Sequence, residues 1–271
     1  MPAEFVFDKP YAQRFVEARQ DMLRPILRDL RERSAVHSVA DMGCGVGHFS
    51  GFLHGLGFDV VGFDGRPVNV EEARRRYPDI EFNVADVEAT SIGERGPYDL
   101  VLCVGLLYHL ENPLRALRNF SAMARKFLVI ESYATPHKQT TFYLREESAL
   151  EDQSLTSLAL YPSESSLLKI CYRVGFSAVY RFSHLPKHED FQGGIRRGPQ
   201  RTMLLASKLP LDLSGLLLVP EPQDYSDPWQ TLIGRLASVP GRLTNGLRKK
   251  YRDNTIGAKI DAEVGRKSRR S

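Results

Sequence analysis

The chain has 271 residues, 42% of them hydrophobic and 26% charged, which excludes a disordered or collagen-like chain and predicts one large domain, or one domain with an appendage. No apolar run reaches the about 18 residues of a membrane-spanning helix. The opening "MPAEFVFDKP" lacks the basic start and apolar centre of a signal peptide, and three scattered cysteines (Cys44, Cys103, Cys171) give neither a disulfide framework nor a zinc spacing, so a cytoplasmic protein without a metal site is expected.

Charge is unevenly placed. Thr231 to Ser271 hold 11 Lys/Arg against 3 Asp/Glu, a net of +8 in a chain of net +4, which leaves −4 for the rest. A body of that sign argues against a nucleic-acid-binding surface, although it leaves room for local basic patches.

In chain order, an amphipathic helix is predicted from Tyr11 to Arg33, with Pro25 placed to kink or divide it. Then come strand "HSVADMG", helix "HFSGFLHGLG", strand "FDVVGFD", helix "NVEEARRRYP" and strand "IEFNVAD". "YDLVLCVGLLYH" reads as a central strand buried on both faces, followed by helix "NPLRALRNFSAMA" and strand "KFLVIESY". Ala134 to Tyr161 is polar and irregular, expected as a lid or substrate-binding insertion. Helix "SESSLLKICYRVGF", with Ser163 and Ser166 as candidate caps, precedes two strands, "SAVYRFSHL" and "RTMLLASKL". This alternation predicts an α/β fold, a mostly parallel sheet with helices on both faces and a closing antiparallel hairpin. The expected division is an N-terminal helical segment (1–35), a core domain (36–208) and a basic, partly disordered extension (209–271). "LIGRLASVPGRLTNGLRKKYR" in that extension suits an anionic membrane surface or an acidic partner, although Pro240 and Gly241 interrupt it and a solvated tail is the plainer reading.

The chemistry centres on "DMGCGVG", in which Asp41 precedes Gly43, Cys44, Gly45 and Gly47 between a strand and a helix. Such a turn brings backbone N–H groups to a ligand. The glycines do not match G-x-G-x-x-G, which argues against a nicotinamide dehydrogenase. The motif resembles the cofactor loop of class I S-adenosylmethionine-dependent methyltransferases, and three further features fall in order. Asp64 ends a strand 19 residues after Gly45, Asp86 ends the next, and "GLLYHLENP" ends the fourth. The likeness covers about Val36 to Lys208. Within it, "DLVLCVGLLYHLENPLRALRNF", "LVIESY", "YPSESSLLKICYRVGF" and "GPQRTMLLASK" resemble the branch containing the bacterial transfer-RNA wobble-uridine carboxymethyltransferase, which carries a substantial N-terminal extension where about 35 residues precede the first expected strand here.

The resemblance implies S-adenosylmethionine as cofactor, held by Asp41, Gly43, Cys44, Gly45, Gly47, Asp64, Gly65, Asp86, Val87 and Val104. Asp41 either meets the cofactor's ammonium or organises the loop. At the strand ends stand Tyr108, His109, Glu131, Tyr133 and His137. His109 is the first candidate for general base, or else shapes the pocket, and Glu131 is a second catalytic candidate. Tyr108, Tyr133, His137, Arg196 and Arg197 are candidates for the acceptor, the arginines as an anion clamp. O-methylation of a small molecule is the expected function, with a transfer-RNA-modifying enzyme, a dehydrogenase and a non-catalytic cofactor-binding module as rivals.

Overall fold

Proline 25 sits inside a helix that it does not divide. In the computed structural model, which describes residues 5, 8–135, 137–147, 154–186, 188–192 and 200–223 (189 by its backbone alone), α1 is one helix, Pro10–Ser34. Leu23, Ile26, Leu27 and Leu30 are buried at helical spacing. Pro25 is exposed, so the hydrogen bond it removes lies on the side that water reaches. The start of α1 is pinned by Asp8, whose carboxylate accepts from Arg76 at 2.8 and 2.6 Å.

The predicted alternation follows as β1 (Ser38–Met42), α2 (His48–Gly55), β2 (Asp59–Asp64), α3 (Pro67–Arg76), β3 (Glu81–Val84), β4 (Tyr98–Val104), α4 (Pro113–Met123) and β5 (Ala124–Ala134). Then come β6 (Phe142–Glu146), β7 (Leu158–Pro162), α5 (Glu164–Arg173), β8 (Ala178–Phe182), α6 (Glu189–Gln192), β9 (Gln200–Ser207) and β10 (Leu216–Leu218). Ser163 caps α5, accepting from the Ser166 amide at 3.1 Å.

The main sheet has eight strands in the order β10-β8-β9-β5-β4-β1-β2-β3. Strands β1 to β5 pair in parallel, and β9 runs antiparallel between β5 and β8. Alternate residues of β4 face opposite ways. Leu100, Leu102 and Val104 pack with α1 and α2, and Val101 and Cys103 pack with α4 and α5. That two-sided burial is why the strand reads as a continuous apolar run.

Two expectations are corrected. The 134–161 insertion is not irregular: β6 and β7 pair antiparallel from Phe142↔Pro162 to Glu146↔Leu158, a small sheet of their own. The weakly patterned stretch after Pro210 adds β10 to the sheet edge beside β8. Arg196, Arg197 and the basic segment after Gln223 lie outside the described residues. Among the described residues, no helix is long and apolar enough to cross a membrane.

Candidate active site

Strand β1 has β2 on one side and β4 on the other, so successive connections leave it in opposite directions. A crevice opens at such a switch point, beyond the carboxyl ends of the strands. A cavity of about 1210 Å³ occupies it here.

Its floor is the glycine turn. Gly43 and Cys44 both donate their amides to the Phe63 carbonyl, at 2.7 and 3.0 Å, which ties the turn to β2. Gly47 has φ +90, and a Cβ there would meet the Tyr77 ring at 2.9 Å, so only glycine fits without strain. Asp64 locks the arrangement. Its Oδ2 accepts from the Gly45 amide at 2.9 Å, and its Oδ1 accepts from the Arg66 amide at 2.9 Å and Asn69 Nδ2 at 3.1 Å. The carboxylate is thereby aimed before any ligand arrives.

Asp41 lies beneath the turn rather than in the cavity. It is buried, and its Oδ2 accepts from Ser50 Oγ at 2.6 Å. Burial pushes its carboxyl up to about 7. Asp86 is exposed at the cavity edge, where its Oδ1 accepts from the Glu88 amide at 2.8 Å. Gly65, Val87 and Val104 also line the cavity, whereas Gly47 does not.

At the far end, Gly105 (φ +75) stops β4, and the 3-10 turn Leu107–His109 delivers Tyr108 and His109 to the cavity wall. His109 Nδ1 is hydrogen-bonded to Glu147 Oε1, a residue just past β6. The Tyr108 ring lies 4.2 Å from that of His109 and 4.9 Å from that of Tyr133, centroid to centroid. Burial raises the Tyr108 phenol to about 12, which keeps it protonated at neutral pH.

Glu131, three residues before the end of β5, is wholly buried and does not line the cavity. Its Oε1 accepts from Arg201 Nη1 at 2.9 Å and its Oε2 from Arg19 Nη1 at 3.1 Å. Burial pushes its carboxyl up, but the two guanidiniums outweigh burial and hold it below the usual carboxylate range. Arg201 also donates to the Tyr108 hydroxyl at 3.0 Å, and its guanidinium lies 3.9 Å over the Tyr133 ring. Both arginines line the cavity. His137 does not: it is exposed and stacks on Tyr143, with ring centroids 6.0 Å apart.

The cavity therefore unites the glycine turn, Asp64, Asp86, Tyr108, His109 and Tyr133, and leaves Asp41, Glu131 and His137 outside. Three residues escaped the sequence reading. Arg19 had left a signal, because it interrupts the apolar stripe of α1. Arg201, heading the apolar strand β9, left a weaker one. Glu147, in a polar stretch, left none.

The order and directions of these strands, closed by the antiparallel β8–β9 pair, define a Rossmann-like methyltransferase fold. The chain belongs to the methyltransferase domain family, whose model matches residues 13–180. A ubiquinone biosynthesis O-methyltransferase of Bordetella avium (strain 197N) is 30% identical over 91 residues, 32% of this chain and 38% of that protein. The match thus spans under two-fifths of that relative's length. Among solved structures, the N-terminal domain of EvdMO1 with SAH (S-adenosylhomocysteine) bound aligns with a TM-score of 0.59 at 17% identity, over 69% of this chain and 80% of that one. Magnesium protoporphyrin IX methyltransferase (ChlM) from Synechocystis PCC 6803, with bound SAM (S-adenosylmethionine), aligns with a TM-score of 0.51 at 18% identity, over 77% of this chain and 87% of that one. At these identities the likeness is one of fold.

Proposed function

We propose that the protein transfers a methyl group from S-adenosylmethionine to a hydroxyl oxygen of a small molecule. The observation that carries this reading is that one cavity joins the carboxylate of Asp64, pinned to the glycine turn, to the imidazole of His109.

The donor set fits the cofactor. Asp64 offers a preoriented carboxylate for ribose hydroxyls, Asp86 an exposed carboxylate for the adenine amino group, and the glycine turn a close backbone approach for the amino-acid end. Arg19 adds a cation. Its side chain is 9% exposed and lines the cavity, Nε reaches the Phe15 carbonyl and Nη1 reaches Glu131. Its guanidinium lies 3.9 Å over the Phe15 ring, and the charge it adds to the cavity wall would meet the cofactor's carboxylate. Asp41 acts from below, holding the turn through Ser50. When bound, S-adenosylmethionine supplies a methyl carbon on a sulfonium that retains the bonding electron pair.

What remains for the chain is to align the acceptor, exclude water and remove a proton. His109 takes the proton from the acceptor hydroxyl. Glu131, paired with two arginines away from the cavity, anchors Arg201 and Arg19 rather than accepting a proton. Tyr108, Tyr133 and Phe15 form an aromatic wall against which the acceptor stacks. The β6–β7 hairpin covers that end, and the protein works in the cytoplasm.

The test is S-adenosylhomocysteine release from S-adenosylmethionine with a panel of phenols and sugars. Release that depends on the acceptor and falls at least about 100-fold in His109→Ala supports the reading. Undiminished turnover in that variant removes the base assignment. No release with any hydroxyl acceptor, alongside release with amines, moves the target to nitrogen.

A further inference from the structure

His109 is held by a residue that belongs to none of the strands of the main sheet. Glu147 follows β6, and its side chain is 7% exposed against His109 at 10%. The Glu147 amide donates to the Ser157 carbonyl at 3.0 Å, which fixes its backbone across the hairpin. Its Oε2 accepts from the Ser154 amide at 2.9 Å, while its Oε1 faces His109 Nδ1.

Ser154 is itself fixed, and from the cofactor side. Its Oγ donates to the Leu158 carbonyl at 2.8 Å, and its own carbonyl accepts from Arg66 Nη2 at 2.8 Å. The Arg66 amide in turn donates to Asp64 Oδ1 at 2.9 Å. Next to it, Leu155 packs so closely on Gly65 that a Cβ there would meet Leu155 Cδ1 at 2.9 Å. An unbroken set of hydrogen bonds therefore runs from Asp64 through Arg66, Ser154 and Glu147 to His109.

We infer that Glu147 is a positioning residue for His109, and that its hairpin is fastened to the cofactor turn through Arg66 and Ser154. A carboxylate beside Nδ1 makes that nitrogen the one that carries the proton in the neutral ring. The lone pair then sits on Nε2, the ring nitrogen left for the acceptor. When Nε2 takes the hydroxyl proton, the ring becomes cationic, and Glu147 lies in contact with it to stabilise that charge. The proton passes to water after the product leaves. Without Glu147 the ring divides between two tautomers, of which only one has its lone pair on the useful side. The catalytic consequence rests on the reading of His109 as proton acceptor; the tautomer does not.

The test uses 15N NMR of the histidine imidazoles in the full chain at mildly alkaline pH, with and without added S-adenosylhomocysteine, with the His109 signals assigned by their loss in His109→Ala. The expected result is a single tautomer with the proton on Nδ1 in the wild type, a mixture in Glu147→Ala and a return towards one tautomer in Glu147→Asp. Calorimetry on the same samples should give S-adenosylhomocysteine affinities within about twofold of each other, which separates positioning from misfolding. With an acceptor from the panel above, kcat should fall about tenfold or more in Glu147→Ala and recover in part in Glu147→Asp, while the KM for S-adenosylmethionine stays put. A single Nδ1–H tautomer persisting in Glu147→Ala overturns the inference. Failure of the methyltransferase reading looks different: the tautomer responds as described, but no S-adenosylhomocysteine binds.

Discussion

Glu131 Oε1 and Arg201 Nη1 meet at 2.9 Å, and the carboxylate has no exposed surface. With Arg19 on the other oxygen at 3.1 Å, two cations share one anion beside the cavity. Removing the carboxylate takes the anion from Arg19 and leaves Arg201 with Asp190, 3.4 Å from its Nε, and breaking a buried pair in this way costs about 3–5 kcal/mol. Glu131→Ala should lower the urea midpoint accordingly, and Glu131→Gln should fall in between. Because the folded carboxyl is held below its ordinary value of 4.5, its contribution is present above that pH and is lost as pH falls further. A wild-type midpoint in Glu131→Ala would contradict the anchoring role.

Asp41 has the opposite sign. Burial lifts its carboxyl from an ordinary 3.8 to about 7, with the Ser50 hydrogen bond offsetting part of the effect. The folded protein then keeps a proton that the unfolded chain has released, so this group's contribution declines as pH rises between those two values and is level above them. Asp41→Asn abolishes that dependence. Going from pH 8 to pH 5 should favour the wild type over the variant by up to about 3 kcal/mol, at about 1.4 kcal/mol per pKa unit. Thermal unfolding of both proteins at several pH values checks this; a difference independent of pH would contradict it.

Gly47 caps α2 with φ +90, against the Tyr77 and Phe82 rings at 2.9 and 3.2 Å from a modest added Cβ. Gly47→Ala combines left-handed strain with overpacking, about 2–4 kcal/mol in all. Chemical unfolding should show that loss, and cofactor affinity should fall with it as the turn shifts. Full stability in the variant would mean that the turn relaxes freely.

The proposed role of Tyr108 is that of a wall, not a base. Its phenol, raised to about 12 by burial, stays protonated at neutral pH and accepts from Arg201. Tyr108→Phe should cost about 1 kcal/mol in stability through the lost hydrogen bond and leave the shape of the pH–rate profile unchanged. A lost basic limb in that profile would return the tyrosine to the proton-transfer step.

Much of this was legible in the sequence because it depends on local pattern. Two-sided burial writes itself into β4 as an apolar run, and a tight turn under a ligand leaves Gly43, Gly45 and Gly47 at fixed spacing. The 19-residue interval from Gly45 to Asp64 is one helix and one strand long, and it ends in a hydrogen bond of 2.9 Å between the two. What was not legible depends on contacts between distant parts of the chain. Glu131 reads as a strand-end acid until Arg19, 112 residues away, and Arg201, 70 residues away, are seen to neutralise it. The β6 strand "FYLRE" is exposed at every residue, so it has no alternation to announce it. Glu147 has the same difficulty: only the fold brings it to His109, 38 residues earlier.

The measurement that bears most directly on the central claim is calorimetric titration of the full chain with S-adenosylmethionine and, separately, with NAD, repeated on Asp64→Ala. Micromolar binding of S-adenosylmethionine alone, weakened at least about tenfold in the variant as two charge-assisted hydrogen bonds to ribose are lost, is the predicted result. Binding of NAD in its place, or S-adenosylmethionine affinity indifferent to Asp64, would contradict the account.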